Sequence, residues 1–438
     1  MLLSMTMVAL ASLIGPPASG ATGQPPPVAV TTGPGNPARM TNADTLRLAE
    51  AVAVAREANS SLQAARLRAD VATARVSQAG AWPDPQLAVG VMNRRVNDMG
   101  SVGDPMSKNA FQLTQTFRWP GKLGFGEERA EHLATAERLD AEEAERRLLA
   151  RVTSVYYELA YLDRSLSVMR ETRDLLRDFQ QVSSAMYGVG DALQQDVLQA
   201  QISVAQMTED ITVAEQERLA MAARLNALLG RAATAEVGAL ELPPPGAEPS
   251  AVDDLMQMAT ENRPALAAAR QRVLAAESGY RAARRALYPD ITLMVEYGQR
   301  PDYPDLASLM VGFSLPLWAG SRQLPLRDEL QAERAAQESR ELDLYNETYA
   351  RLAELRAEAV RARNLAALYA TSILPQARAA VESALSAYRV GRVEYISLLN
   401  NEMTVNRYQI ELVRLTAEYH RIVAEIEAIV GVELEGVS

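Results

Sequence analysis

The sequence contains no cysteine, only two histidines and only two lysines among its 438 residues. Without thiols the chain has no disulfides, thiolate metal sites, cysteine nucleophiles or lipid attachment through an N-terminal cysteine. The two histidines, His132 and His420, leave few ligands or bases for metal-dependent or hydrolytic catalysis. A formal net charge of −11 disfavours nucleic-acid binding, which calls for a clustered basic face. We therefore expect no enzyme, no cofactor or bound metal, and no nucleic-acid partner.

Long hydrophobic runs are also absent after the N-terminus, so we expect no membrane-spanning helix. Residues 1–14 are apolar and lead to small residues at 18–21, which is typical of a secretory signal peptide over residues 1–21. The segment lacks a basic beginning, and two prolines interrupt it. Residues 22–40 are rich in proline and glycine and are predicted to form a disordered leader.

The chain consists of two similar halves, a first repeat over 41–240 and a second over 251–432, joined by a linker at 241–250, ELPPPGAEPS. Order, spacing and residue type agree at four places, at offsets of about 200 residues. The matching segments are 59–66 and 263–270, 79–91 and 285–297, 111–122 and 311–322, and 187–201 and 388–402.

Each half is predicted to hold short helices, two strands and two very long helices. In the long segments apolar residues recur alternately every three and four positions, as in Leu148, Val152 and Val155. This 3.5-residue period indicates left-handed coiled-coil packing. The first such helix would be roughly 100 Å long at about 1.5 Å per residue, so it would protrude from any globular body. The predicted long helices are 121–187, 191–230, 320–388 and 392–430.

The four strand segments alternate apolar residues with small or polar ones. This pattern is typical of membrane β-barrel strands, and equally of a half-buried hairpin in a soluble domain. The predicted strands are 86–96, 108–118, 290–298 and 308–317. Large aromatic residues at the four helix–strand junctions favour the membrane alternative, because such rings sit at the lipid–water interface. These interface residues are Trp82, Trp119, Tyr288 and Trp318.

Four strands cannot close a barrel, and an open sheet edge cannot lie in lipid. The smallest membrane barrels have about eight strands. The sheet therefore predicts a ring of several copies, with the long helices forming a second cylinder.

Taken in order, these segments resemble the TolC family of outer-membrane efflux ducts over residues 41–432. The motifs that carry the resemblance are FRWPGK (117–122), YGVGDALQQDVLQAQ (187–201), LNALLGR (225–231) and LPQARAAVESALSAYRVGRVEYISLLNNE (374–402). The WPGK and ILPQAR stretches resemble most the branch that serves heavy-metal resistance–nodulation–division (RND) pumps.

The resemblance implies a mainly α fold with a small β part. It implies a homotrimer with a twelve-strand transmembrane β-barrel in the outer-membrane lipid and a long coiled-coil α-helical barrel in the periplasm. The implied function is a passive exit duct, joined to a periplasmic membrane-fusion adaptor and an inner-membrane pump, with heavy-metal cations as a candidate cargo. The alternative from the residues alone is a secreted or cytosolic coiled-coil scaffold without channel activity.

The resemblance also places the two Tyr-x-Val-Gly turns at the periplasmic mouth, as tips of two helical hairpins that dock the adaptor. Family ducts narrow at acidic residues six and nine positions after the second glycine, where this chain has Ser397 and Asn400. We hypothesise that Asp196 instead contacts Tyr388 or Arg392 across neighbouring hairpins and latches the mouth; alternatively, Asp196 is a solvated helix residue. The candidate gate residues are Tyr187, Gly190, Asp196, Tyr388, Gly391, Arg392, Ser397 and Asn400.

Three further features have both a functional and a plain interpretation. Met92, Met99 and Met106 lie seven apart, and their thioethers suit Cu(I), although Met92 fits equally as a barrel residue with the others in a loop. Pro375 should kink a long helix and is a candidate hinge, or it marks a local irregularity. Glu128 and His132 lie one helical turn apart but lack further metal ligands nearby.

Overall fold

The computed structural model describes residues 45–94, 96, 104–190, 192–301, 303–389 and 392–434. The predicted signal peptide and leader, at 1–21 and 22–40, lie outside the described residues. The helices are α1 (Leu48–Ala58), α2 (Ser60–Gly80), α3 (Lys122–Gly188), α4 (Gln194–Leu228), α5 (Val252–Asn262), α6 (Pro264–Arg285), α7 (Gln323–Leu368), α8 (Leu374–Arg389) and α9 (Tyr395–Val430). The strands are β1 (Thr45–Leu46), β2 (Gln86–Met92), β3 (Lys108–Phe117), β4 (Ala239–Leu240), β5 (Ile291–Gln299) and β6 (Leu306–Phe313).

The two halves repeat the same order of elements, two short helices, two strands and two long helices. Local chemistry explains where several helices begin. The Asn59 side chain accepts hydrogen bonds from the backbone N–H of Ser61 (3.0 Å) and Leu62 (3.1 Å), which caps α2. Its counterpart α6 begins with Pro264, whose fixed φ suits a first helical turn. Gly121, with φ +90°, precedes the 67-residue α3.

The longest predicted helix, a continuous one over 320–388, is corrected by the structure. Helix α7 is followed by a π-helical segment over Tyr369–Ile373, and α8 continues directly from it. Pro375 lies two residues beyond this segment and has no N–H for a bond to the preceding turn, so the regular pattern of backbone hydrogen bonds is interrupted without ending the helix. A π segment beside a proline is a recognised cause of helix bending. The predicted role of Pro375 as a hinge requires motion as well as a bend, and it remains a prediction.

The long helices lie side by side in a row. Near the sheet, α3 packs on α2 and α6, and α6 packs on α7. Toward the hairpin ends, α3 packs on α4 and α9, and α9 packs on α7 and α8. One edge of the row is therefore formed by α2 and α4, and the other edge by α7 and α8. No helix in the described part of the chain is both long and apolar enough to cross a membrane.

The four long strands form one antiparallel sheet in the order β2–β3–β5–β6, so the two halves meet at β3 and β5. The predicted bounds of two strands are wrong. The strand predicted over 86–96 ends at Met92, because Asn93 has φ +56° and turns the chain. The strand predicted over 308–317 spans Leu306–Phe313, because Pro316 has no N–H to donate and a turn follows it.

The predicted linker at 241–250 is bound along its length. It continues from β4, which pairs in parallel with β1. The Tyr156 hydroxyl donates to Leu46 O (2.9 Å) and accepts from the backbone N–H of Glu241 (3.1 Å). Arg363 Nε donates to Gly246 O at 3.1 Å, and Arg356 Nε donates to Ser250 O at 2.8 Å. The connection is thus a strap fixed across the helices of the second half.

Each half closes with a glycine whose backbone lies against the end of that half's first short helix. Gly230 has φ +66°, and a Cβ there would lie 2.8 Å from Ala58 O. Gly431 has φ +87°, and a Cβ there would lie 2.6 Å from Asn262 O. Both positions combine a left-handed conformation with a close backbone approach, and only glycine satisfies both.

Candidate functional site at the hairpin tips and the sheet

The first hairpin turns between α3 and α4 at Gly190, whose φ is +88°. Its N–H donates to Tyr187 O at 3.1 Å, and a Cβ there would meet nothing within 4 Å, so the requirement for glycine is conformational. In the second hairpin the Arg392 N–H donates to Ala387 O at 2.9 Å and closes the end of α8. Gly391 lies outside the described residues.

The second tip carries a buried tyrosine pair that packs on the first hairpin. Tyr388 at the end of α8 is 8% exposed, and Tyr395 at the start of α9 is 1% exposed. Both belong to an apolar cluster with residues of α3 and α4, among them Phe179 and Ala200. The two hairpins of one protomer are therefore held together at their tips by aromatic packing.

The hydroxyl groups of this cluster are short of partners. The hydroxyls of Tyr388, Tyr395 and the fully buried Ser183 make no hydrogen bond of ordinary geometry within the described part of the chain. Burial raises the pKa of Tyr388 above its usual value, and the negative charge of Asp196 adds to this rise, while the nearby Ser183 hydroxyl opposes it. Burial raises the pKa of Tyr395 to about 12, with Tyr388 and Asp196 contributing.

The structure brings some of the sequence-predicted gate residues together and separates others. Asp196, in the first turn of α4, acts electrostatically on Tyr388 and Tyr395 of the same protomer. Among the described residues no ion pair joins Asp196 to Arg392. Tyr187, Arg392, Ser397 and Asn400 are exposed.

Sequence reasoning missed two members of the tip cluster, Tyr395 and Ser183. Tyr395 lies seven residues after Tyr388, a heptad step that indicates a shared face. The interruption of the helix between them hides this relation in the sequence. Nothing in the sequence around Ser183 marks it out.

The two faces of the sheet differ in chemistry. The register places Leu87, Leu113, Val295 and Leu309 in one line across β2, β3, β5 and β6, on an apolar face. These side chains are 47–71% exposed, so no part of the chain that the structure describes covers them. The opposite face carries small and polar residues, including the ion pair of Lys108 with Glu296.

The predicted interface aromatics lie at the helix-side end of the sheet. Trp119 stacks on Tyr288, with ring centroids 5.3 Å apart and planes at 11°. Trp82 meets Phe117 edge to face at 5.8 Å, and Trp318 is 78% exposed. The rim is fixed by Asp290, which accepts from the Trp119 N–H (2.9 Å) and from Lys122 Nζ (2.7 Å).

The predicted metal-binding alternatives find ordinary partners. Glu128 accepts from Arg281 at 3.1 Å, and His132 Nδ1 lies 2.8 Å from Gln271 Oε1. Within the described ranges no three histidine, aspartate or glutamate side chains are grouped as metal ligands. Met106 is 65% exposed, and Met99 lies outside the described residues.

An apolar-faced sheet with two open edges, continued by paired hairpins of very long helices, defines a channel-forming class of protein. The family model for outer membrane efflux protein matches residues 51–231 and 255–432, one segment in each half. The chain therefore belongs to the outer membrane efflux protein family, as the resemblance to TolC-type ducts predicted. This places it in the outer membrane as a transport channel rather than an enzyme, with its helices in the periplasm, and argues against the scaffold alternative.

Solved structures of outer-membrane channels share the fold. CusC, described in terms of folding and transmembrane channel formation, matches with a TM-score of 0.75 and 16% identity, over 88% of this chain and 92% of that chain. VceC from Vibrio cholerae matches with a TM-score of 0.75 and 19% identity, over 89% of this chain and 97% of that chain. MtrE from Neisseria gonorrhoeae, in its open state, matches with a TM-score of 0.73 and 15% identity, over 89% of this chain and 89% of that chain. No curated protein matches the chain.

Proposed function

We propose that the chain forms, as a homotrimer, the outer-membrane exit duct of a tripartite efflux system. The observation that carries the proposal is the pair of open edges. Both the sheet and the helix row end in elements that have no neighbour on their outer side among the described residues, β2 with α2 and α4 at one edge, and β6 with α7 and α8 at the other. Copies joined edge to edge form a closed ring, as lipid requires.

The edges are chemically suited to each other. Along α4, Leu198 and Ile202 are each half exposed, whereas the exposed surface of α8 includes a group of small residues, Ala379, Ala380 and Ser383, beside longer polar ones such as Gln376 and Glu382. Large side chains on one edge can pack into the small-residue surface of the other. Because β2 and β6 run in opposite directions, their pairing continues the antiparallel order, and three copies give twelve strands.

The hairpin tips are the proposed gate and adaptor-docking surface. Val189 and Tyr187, at the first tip, are 75% and 49% exposed, and Ser397 and Asn400 are exposed in the first turns of α9. Asp196 lies beside the tyrosine pair, where its charge can hold the closed arrangement through Tyr388 or through Arg392 of a neighbouring hairpin. Opening would then require separating this carboxylate from its partners, while energy would come from the inner-membrane RND-type pump.

Heavy-metal cations are the proposed cargo. Two stretches support this choice, WPGK at 119–122 and ILPQAR at 373–378, since they resemble the heavy-metal branch. The similarity of fold to CusC is compatible with it. The pump selects the cargo first, so the duct must only let these cations pass.

The absence of native cysteine makes a direct test simple. A single cysteine introduced by Val189→Cys at the tip would carry a thiol-specific crosslinker in intact cells. The matched control is Val96→Cys in the loop beyond β2, where the native side chain is 90% exposed. We expect a crosslinked periplasmic adaptor, identified by mass spectrometry, from the tip position alone. Equal crosslinking from both positions, or none from the tip, would contradict the docking assignment.

A further inference from the structure

An open groove of about 860 Å³ lies between α3 and the continuous run of α7 and α8, with α9 beneath it and the strap across one end. The strap contributes Leu242 and Pro244, and α9 contributes Leu412. Ala370 and Leu374 come from the π segment and the start of α8. The volume lies within the range of small-molecule sites, roughly 300–1,000 Å³.

Small side chains keep the groove open. Ala366, Ala367 and Ala370 line its α7 side, and Ala367 and Ala370 are exposed in the protomer. Larger apolar side chains of the strap and of α9 form the remaining surface. Water against such a surface is unfavourable, so the groove gains free energy when an apolar group covers it.

The groove is also lined by positive charge. Arg164 of α3 and Arg378 of α8 stand on opposite walls, and both are exposed. Within the described ranges neither arginine forms an ion pair. A third arginine, Arg363, uses Nε to hold the strap at Gly246 O, at 3.1 Å.

Negative charge in the groove is already neutralised. Among the described residues its only carboxylate is that of Asp163, which forms an ion pair with Arg218. Glu402, whose pKa burial raises and Arg378 opposes, is 8% exposed and is not part of the lining. The groove therefore offers guanidinium groups to an anion without a competing carboxylate beside them.

We propose that this groove binds a single-chain anionic amphiphile of the fatty-acid type. The apolar walls cover the alkyl chain, and the guanidinium groups attract the carboxylate through charge-assisted contacts. A neutral alcohol of the same length lacks the second contribution and should bind more weakly.

The location gives the site a consequence for the helices. An occupant contacts α3 on one side and the π segment on the other, so it joins two elements that the groove separates. Irregular turns of this kind occur frequently at functional sites. A bound amphiphile should therefore restrain any bending beside Pro375.

Photolabelling of the purified full-length protein in lipid nanodiscs tests the site. The probe is hexadecanoic acid with a diazirine at the end of its chain, and the matched probe is the corresponding alcohol. We expect the acid to label peptides that contain Leu242 or Ala370, and the alcohol to label them about tenfold less. Labelling confined to the strands of the sheet would overturn the site, because the acid would then only enter the bilayer.

Two variants remove the two contributions separately. Arg164→Gln/Arg378→Gln should reduce labelling of the groove about tenfold through lost charge. Ala370→Trp should reduce it by filling the space. The control Arg68→Gln/Arg224→Gln removes two exposed charges from α2 and α4 and should label as the parent does. Parent-like labelling in both groove variants would overturn the proposal.

The oligomeric state separates this site from the proposed function. One chain supplies every wall of the groove. A protein that labels in the groove but has the native mass of a monomer would contradict the duct and support the site. Labelling of the monomer that is lost in the trimer would instead show that a neighbouring copy covers the groove, and would overturn the site in the assembled duct.

Discussion

The rings of Tyr388 and Tyr395 meet edge to face, with centroids 5.8 Å apart and planes at 63°. One ring ends α8 and the other begins α9, so their contact spans the turn of the second hairpin. The same rings contact the first hairpin, which makes this pair the joint between the two tips.

The Tyr395 hydroxyl is buried and makes no hydrogen bond to any residue that the structure describes. Removing an unsatisfied buried hydroxyl should leave the free energy of unfolding unchanged or raise it by about 1 kcal/mol. We therefore expect the Tyr395→Phe oligomer to dissociate on heating at the same temperature as the parent oligomer or at a higher one. Tyr395→Ala should lower this dissociation temperature, because packing around the ring is lost. A clear loss of stability in the phenylalanine variant would show that the hydroxyl binds a group of another protomer.

If Asp196 latches the closed tips, removing its carboxylate should change the conductance of the channel. Asp196→Ala should raise the single-channel conductance of the isolated oligomer in planar bilayers severalfold, because the closed tips lose a charged contact. Asp210→Ala, at an exposed position of the same helix, should leave conductance unchanged. Equal conductance in parent and Asp196→Ala would eliminate the latch and leave Asp196 as a solvated residue.

The glycine closing the first half should not tolerate a side chain. Gly230→Ala places a Cβ against Ala58 O and forces a left-handed conformation, so it should cost about 2 kcal/mol or more of stability. Gly124→Ala, in open space within α3, should be neutral or stabilising by about 0.5 kcal/mol. Urea-induced unfolding followed by circular dichroism compares them, and equal effects would contradict the close approach.

His420 should make the strap sensitive to pH. The imidazole is 3% exposed, stacks on Tyr157 at 4.7 Å, and lies 3.0 Å from Pro243 O. Burial lowers the pKa of His420, although the carbonyls of Pro243 and Pro244 oppose the shift. Its neutral form is thus favoured in the folded state, and the stability it contributes is present above the usual pKa of about 6.5 and falls as pH decreases through that value.

Unfolding at pH 7.5 and pH 5.5 measures this effect. The parent should lose stability between the two pH values, and His420→Gln should show a smaller loss even if it is less stable throughout. The nearby Glu427, whose pKa burial raises, acts in the opposite direction and is common to both proteins. An identical loss in parent and variant would assign the pH dependence to other groups.

The two faces of β6 should respond differently to charge. Leu309 lies on the apolar face, and its neighbour Ser308 lies on the polar one. Leu309→Arg should cost about 2–4 kcal/mol in lipid and sharply reduce the amount of oligomer in the outer membrane. Ser308→Arg should assemble normally and alter conductance instead. Similar assembly of both variants would mean that the apolar face does not meet lipid.

The sequence predicts the long helices well because a 3.5-residue seam persists over many turns. Each predicted end of these helices lies within three residues of the end in the structure. Alternation likewise predicts which residues share a sheet face, but not which strands are neighbours. The pairing of β3 with β5 depends on contacts between the halves that no local pattern encodes.

Other features lie beyond local patterns for different reasons. The two-residue strands β1 and β4 are too short to show any period, and they form because Tyr156 bonds to both connections. The π segment at Tyr369–Ile373 depends on how the chain accommodates Pro375 within a packed row, which composition does not determine. At the tip, burial of Tyr395 depends on the first hairpin, two hundred residues away.

The native mass of the detergent-extracted outer-membrane fraction tests the central claim most directly. The edge-to-edge ring predicts a heat-sensitive species of three chains in that fraction. A monomer or dimer, found in the soluble fraction, would contradict the duct and mean that the exposed apolar face of the sheet is covered in some other way.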